Sequence, residues 1–276
     1  MKKKLIFVDI DGTLTLPGTN IIPDSALIAI EKAQKNGHKV FLCTGRNLGT
    51  LQELLNYSFD GYIASAGGYV FCNGRVIYDN PMKQEQLDLA MKVFKRNRIF
   101  RTVECLNASY ADKGVKEFLE ERNYGIANSE LIRWQEQLHE ALHVLPMEKY
   151  EGQPVYKIVF MCMDPEQLLE PNRLLSQDFT ICTQGRSEYG CINGEIINRE
   201  FNKGQGIRRI CEKLGADISD TIGFGDSIND IEMIKMTRVG VCMENGSETL
   251  KKMAGMVCPS VEEDGLYEGF SMLGLC

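Results

Sequence analysis

A chain of 276 residues, 43% hydrophobic and 25% charged, has the composition of a folded protein of one large domain or two ordinary ones. Its net charge of −7 gives no basic footprint for nucleic acid, although a few local cations suffice for a small phosphorylated ligand. No apolar run reaches the ~18 residues of a membrane span, and the opening MKKK passes into a strand with no signal-peptide core, so a cytoplasmic protein without a membrane segment is expected.

The first strand is Lys4-Leu5-Ile6-Phe7-Val8, which stops at Asp9-Ile10-Asp11-Gly12-Thr13-Leu14. An amphipathic helix follows from Asp24 to Asn36, with Leu27, Ile30 and Ala33 at helical spacing and Gly37 as its cap. Lys39–Cys43 is a second buried strand, ending at Thr44-Gly45-Arg46. A helix is expected over Asn47–Asn56, then a strand over Gly61–Ser65, then short hairpin strands around the turn pair Asn73-Gly74. The middle of the chain differs. It carries charged helix candidates (Gln84–Asn97, Ala111–Arg122, Ser129–His143) and strands (Phe100–Leu106, Val155–Met163, Phe179–Thr183) that do not end in acids. The first pattern then returns: a helix from Lys203 to Leu214 capped by Gly215, a strand Thr221–Phe224 ending at Gly225-Asp226-Ser227, a further strand Arg238–Val241 and a helix Ser247–Met253.

Strands alternating with helices imply a parallel sheet with right-handed crossovers. The expected architecture is therefore α/β, a Rossmann-like parallel-sheet core over 1–81 and 188–276 with an inserted α+β cap domain over 82–187; one continuous sheet is the alternative. The ten cysteines are scattered, with no C-x-x-C, and several lie inside apolar runs. Buried reduced thiols fit them better than zinc ligands or disulfides.

Four short polar segments each follow an apolar strand or open a helix: Asp9/Asp11, Thr44-Gly45-Arg46, Lys203, and Gly225 through Asp230. In a parallel sheet all strand carboxyl ends share one edge, so these segments meet there. Two neighbouring carboxylates repel unless a cation or a shared proton relieves them. That calls for Mg²⁺ or for two protonation roles, one carboxylate attacking phosphorus and its neighbour carrying a proton. Thr44 and nearby N–H groups suit phosphate oxygens, and Lys203 supplies a point charge. Each piece alone also fits a bland role: a D-x-D turn, a strand end, a solvated helix start, or N-terminal acids at Asp226 and Asp230 favoured by a helix dipole. The conjunction in this order favours a phosphoryl-transfer site.

With these residues in place the chain resembles the haloacid dehalogenase superfamily, in its Cof-like branch with a large α/β cap. The D-x-D-G-T-L motif stands as Asp9–Leu14, the strand-end Ser/Thr as Thr44, the lysine after the insertion as Lys203, and G-D-x-x-N-D as Gly225–Asp230. The resemblance covers the whole chain and extends to the tail Glu262–Leu266. It implies Asp9 as nucleophile and Asp11 as general acid/base. It implies Mg²⁺ held by Asp9, Asp11 through its backbone carbonyl, and Asp226. Phosphate would be held by the Ile10 backbone, Thr44, Gly45, Lys203 and Asn229, with Asp230 supporting Lys203 or a metal-bound water. An acid at Asp11 is what separates the family's phosphatases and mutases from its dehalogenases. The activity implied is Mg²⁺-dependent hydrolysis of a small phosphorylated metabolite, such as a sugar phosphate or phosphorylated cofactor, with the inserted domain closing over it. A phosphomutase or a non-catalytic phosphometabolite-binding protein are the alternatives. Two departures stand out: Ala66-Gly67-Gly68 where such proteins often carry Asn-Gly-Ala, and Ala254-Gly255 in place of Ala-Asp.

The remaining candidates read as structure. His38 closes a helix. His139 and His143 have metal-ligand spacing but no third ligand, so a helix-surface pair is expected. Trp134 with Leu131 and Leu138 reads as domain core, and Glu120-Glu121-Arg122 as a solvated face.

Overall fold

A computed structural model describes residues 2–115, 117, 144–186 and 191–276. In chain order its elements begin with β1 (Leu5–Val8), α1 (Asp24–Lys35), β2 (Lys39–Cys43), α2 (Leu48–Leu51), β3 (Gly61–Ala64), β4 (Tyr69–Cys72) and β5 (Arg75–Asp79). They continue with α3 (Gln84–Arg96), β6 (Phe100–Cys105), β7 (Ser109–Ala111), β8 (Val144–Pro146), β9 (Val155–Cys162), α4 (Leu169–Leu175), β10 (Phe179–Arg186) and β11 (Ile192–Asn198). The last are α5 (Lys203–Leu214), β12 (Thr221–Gly225), α6 (Ile231–Met236), β13 (Val239–Met243), α7 (Glu248–Met253), β14 (Met256–Cys258) and α8 (Gly265–Met272).

The chain divides into two units. The first comprises Met1–Arg46, Leu51–Asp79 and Asn202–Cys276. It is built on an eight-stranded sheet in the order β14-β13-β12-β1-β2-β3-β4-β5. Pairing is parallel from β14 to β3 and antiparallel through the β3–β4–β5 meander. Strands β1 and β12 are buried along their whole length, as a sheet covered on both faces requires. On one face Phe7 stacks on Phe41 at 5.2 Å and packs with Ile207 and Ile210 of α5. Elsewhere in this unit Phe224 meets Phe270 of α8 at 5.1 Å. Helix α1 buries Ala26, Ala29, Ile30 and Ala33, with Leu27 only at the edge of that stripe, and Gly37 follows at φ +87°. Asn73 and Gly74 both take positive φ, 53° and 72°, so the β4–β5 turn is of the kind that matches strand twist.

The second unit comprises Asn47–Thr50 and Asn80–Phe201. Its six-stranded sheet runs β10-β11-β9-β6-β7-β8, antiparallel except for the β7–β8 pair. Val93 and Phe94 of α3 and Leu175 of α4 pack on Val103, Ile158, Phe160 and Ile196. The unit runs past residue 187 to Phe201 because β11 hydrogen-bonds between β10 and β9, and ending at 187 would strand β10. Lys157, on β9, is buried and paired with Glu195 at 2.7 Å and Glu104 at 3.3 Å.

The helix expected over Asn47–Asn56 is instead the single turn α2 and a 3₁₀ turn at Leu54–Asn56. Gly49 sits within it, where an added Cβ would stand 2.3 Å from the Asn107 carbonyl oxygen. The expected helices over 111–122 and 129–143, with Trp134, Leu131, Leu138, Glu120, Glu121, Arg122, His139 and His143, lie largely or wholly outside the described residues. The ten cysteines are free thiols, eight of them buried. Among the described residues no helix is long and apolar enough to cross a membrane.

Candidate active site

Strands β12, β1 and β2 are parallel neighbours, so Gly225, Val8 and Cys43 end on one edge. The Asp9 N–H donates to the Phe224 carbonyl at 2.9 Å, which extends the ladder by one residue and fixes Asp9 at that edge. The chain then turns sharply. The Ile10 carbonyl accepts the N–H groups of Thr13, Leu14 and Thr15 at 3.2, 3.0 and 2.9 Å. Gly12 has φ +82°, and a Cβ there would stand 2.7 Å from Asp226 Oδ2, so only glycine lets this turn close against Asp226. Asn245 Nδ2 holds the Gly12 carbonyl at 2.8 Å.

Lys203 is the first residue of α5, whose N-cap Asn202 accepts the Gln205 N–H at 2.8 Å. Its ammonium is buried and donates to Asp9 Oδ1 and Asp230 Oδ1, each at 2.6 Å, and to Asn229 Oδ1 at 3.4 Å. The second Asp230 oxygen accepts the N–H groups of Asp226 and Ser227 at 3.1 Å each. Thr13 Oγ1 donates to Asp226 Oδ1 at 3.1 Å, and Ser227 Oγ to Asn229 Oδ1 at 2.6 Å. Three of the four predicted segments thus converge through Lys203, Asp9 and the Asp226–Asp230 turn.

Asp9, Asp226 and Asp230 each offer a carboxylate oxygen within 4.8 Å of one another, and all three are buried. Burial, reinforced by Asp230, pushes the Asp9 carboxyl well above the usual carboxylate range, against the pull of Lys203. Burial does the same to Asp226, with Asp230 and Asp9 adding to it and Thr13 opposing. Burial works against the Lys203 charge, but Asp230 and Asp9 outweigh it and hold its ammonium well above the ordinary lysine value.

Three carboxylates around one ammonium leave an excess of negative charge that a hard cation relieves. All the donors are oxygens, and the nearby thiols Cys43 and Cys242 are both pushed upward by burial and stay protonated. This set fits Mg²⁺, with Asp9 and Asp226 as the carboxylates placed to hold it. Both Asp230 oxygens are engaged, one by Lys203 and the other by two backbone N–H groups.

The Asp11 carboxylate lies outside this cluster. Arg46 takes both of its oxygens, Nε to Oδ2 at 2.9 Å and Nη2 to Oδ1 at 2.6 Å. Beside it, the Thr44 N–H donates to the Ile63 carbonyl at 2.8 Å and Thr44 Oγ1 accepts the Arg46 N–H at 3.1 Å. The sequence alone gives Arg46 no role beyond its place in Thr-Gly-Arg. It likewise assigns nothing to Thr13 and Asn245, of which only Thr13 stands inside a motif.

A profile of haloacid dehalogenase-like hydrolases matches residues 6–270. YkrA of Bacillus subtilis (strain 168), named only provisionally as a phosphatase, is 28% identical over 279 residues, covering 100% of this chain and 99% of that protein. The phosphoglycolate phosphatase of Methanobrevibacter smithii is 26% identical over 266 residues, 95% of each chain. Among solved structures, the HAD subclass IIB sugar phosphatase BT4131 superposes with a TM-score of 0.78 at 25% identity, covering 99% of this chain and 100% of that one.

Proposed function

The chain belongs to the haloacid dehalogenase-like hydrolases, and from that membership we propose that it is a Mg²⁺-dependent phosphatase of small phosphorylated metabolites, sugar phosphates foremost. The family and its named relatives make it a phosphoric monoester hydrolase. The observation that carries the reading is the Lys203 ammonium, 2.6 Å from Asp9 Oδ1 beside the Asp226 carboxylate.

In this reading an Asp9 oxygen attacks phosphorus and the bond to the leaving oxygen breaks, giving an aspartyl-phosphate. Asp11 passes a proton to the leaving oxygen, then takes one from the water that releases phosphate. Lys203 holds attacking carboxylate and phosphoryl oxygen together, and donors from the Ile10 backbone, Thr44, Gly45 and Asn229 bind the remaining oxygens. Asp9, the Asp11 backbone carbonyl and Asp226 would hold Mg²⁺, which would supply positive charge to offset that of the carboxylates and the phosphate. Sugar phosphates are favoured because the 0.78 TM-score match over nearly the whole chain is to a sugar phosphatase.

The test is release of inorganic phosphate from 4-nitrophenyl phosphate and a panel of sugar phosphates, with Mg²⁺ and with chelator. Mg²⁺-dependent release that Asp9→Asn abolishes is expected. Wild-type turnover by Asp9→Asn would overturn the mechanism, and transfer of phosphate within one sugar without release would point to a mutase.

A further inference from the structure

We propose that Arg46 is the positioning residue for Asp11, and that it acts on the reaction only through the direction in which it holds that carboxylate. The inference rests on the phosphatase reading above, in which Asp11 carries the proton.

Arg46 and Asp11 are both buried, their side chains 3% and 1% exposed. The guanidinium meets the carboxylate as a fork, Nε to Oδ2 and Nη2 to Oδ1, which fixes the plane of the carboxylate as well as its distance. Two further bonds tie it to the 19–20 segment. Nη1 donates to Asn20 Oδ1 at 2.5 Å, and Nη2 also donates to the Thr19 carbonyl at 3.2 Å. Asn20 is held in turn by Glu53 Oε2 at 2.6 Å. The Arg46 carbonyl accepts the Ser65 N–H at 2.8 Å. A guanidinium has five N–H donors, and four hydrogen bonds already tie it to Asp11 and the 19–20 segment. That leaves it poorly placed to bind phosphate directly and well placed to brace Asp11.

The proton step is sensitive to such bracing. As Asp9 bonds to phosphorus and the phosphorus–leaving-oxygen bond breaks, the Asp11 proton must reach the leaving oxygen. As water then attacks and the Asp9–phosphorus bond breaks, a water proton returns to Asp11. A carboxylate displaced by an ångström loses about 100-fold in such a transfer.

The test compares kcat/KM for phenyl phosphate, whose leaving oxygen needs a proton, with 4-nitrophenyl phosphate, whose leaving oxygen needs one far less. In Arg46→Met the phenyl ester is expected to lose about 100-fold and the nitrophenyl ester about 10-fold or less, matching Asp11→Asn. The double variant D11N/R46M is expected to be no worse than D11N alone, because both changes remove one function. Arg46→Lys, which keeps the charge and loses the fork, is expected to recover only part of the phenyl-ester loss. Should Arg46→Met fail to fold, the surface change Asn20→Ala loosens the same brace and is expected to lower the phenyl ester by several-fold, about 3 to 10, with the nitrophenyl ester unchanged. Equal losses on both esters, or multiplicative losses in the double variant, would overturn the inference while wild-type turnover keeps the phosphatase reading. No nitrophenol release by wild type would overturn both.

Discussion

Asp230 and Lys203 meet at 2.6 Å, and through that contact the turn after β12 is tied to the first residue of α5. One Asp230 oxygen takes the ammonium and the other takes the N–H groups of Asp226 and Ser227. Asp230→Asn keeps one acceptor where two are needed. It is expected to lower kcat/KM by about 100-fold through misplacement of Lys203 and Asp226, while costing stability only about 1–3 kcal/mol. Lys203→Met leaves three buried carboxylates with no ammonium and is expected to cost more, about 3–5 kcal/mol. Urea unfolding of the two variants beside wild type checks the order, and an Asp230→Asn protein less stable than Lys203→Met would contradict it.

The raised Asp9 and Asp226 carboxyls make a cation-linked prediction. A carboxylate whose folded value lies above its ordinary 3.8 loses stability as pH rises from there through the folded value, because the folded state binds the extra proton. Without a cation the protein is therefore expected to be less stable at about pH 8 than at about pH 5.5 on account of this cluster. Mg²⁺ at about 100 times its dissociation constant should add about 2.7 kcal/mol. Asp226→Asn is expected to melt higher than wild type in chelator and to lose most of the Mg²⁺ response. Thermal melts with chelator and with Mg²⁺ provide the check, and an undiminished Mg²⁺ shift in Asp226→Asn would count against the assigned site.

The edge carrying the site is legible in the sequence because parallel strands force it. β1, β2 and β12 are each followed at once by a polar residue, and Lys203 can be placed from its position between the N-cap Asn202 and the αL residue Gly215 at φ +64°. Contacts between distant segments are not legible. Arg46 and Asp11 are 35 residues apart, and nothing local marks a fork between them. β11 escapes the sequence because Glu195 in its middle reads as a surface residue, whereas in the fold it is buried and paired with the Lys157 ammonium. The helix expected over Asn47–Asn56 is too long because apolar spacing does not register that Gly49 is required by the close Asn107 carbonyl.

His38 supplies a pH dependence of stability away from the site. It is buried, its Nδ1 accepts the Lys4 N–H at 3.0 Å, and its Nε2 has no hydrogen-bond partner. Burial, with the nearby Lys4 charge, holds the imidazole below its ordinary 6.5. The neutral ring is the folded form, so the unfolded chain binds the extra proton. The stability it contributes is full above about pH 6.5 and is lost as pH falls from there through the folded value. The substitution His38→Asn keeps an acceptor for the Lys4 N–H and removes the titrating group. Whatever the direction set by the rest of the chain, the urea midpoint of wild type relative to that of His38→Asn should fall between about pH 7.5 and pH 5.5. An unchanged difference between the two proteins would remove His38 as the cause.

Ala66 stands where the resembled proteins often carry asparagine, and its backbone explains why the exchange matters. It has φ 56° and ψ 24°, left-handed helical values, directly after Ser65 at φ 49°. Asparagine and glycine tolerate this region, whereas alanine pays about 1–2 kcal/mol for its Cβ there. The strain persists because Ser65 and Ala66 donate their N–H groups to the Arg46 and Thr44 carbonyls at 2.8 and 3.0 Å, and Gly67 leaves no room for a Cβ against the Asn202 carbonyl oxygen at 2.3 Å. Ala66→Gly relieves the strain without adding atoms and is expected to raise stability by about 0.5–1 kcal/mol. The same exchange at Ala29, buried inside α1, is expected to lower it by about 1 kcal/mol or more. Denaturant midpoints moving in opposite directions for one chemical change would locate the strain at Ala66, and a loss at both positions would show that the loop holds alanine without cost.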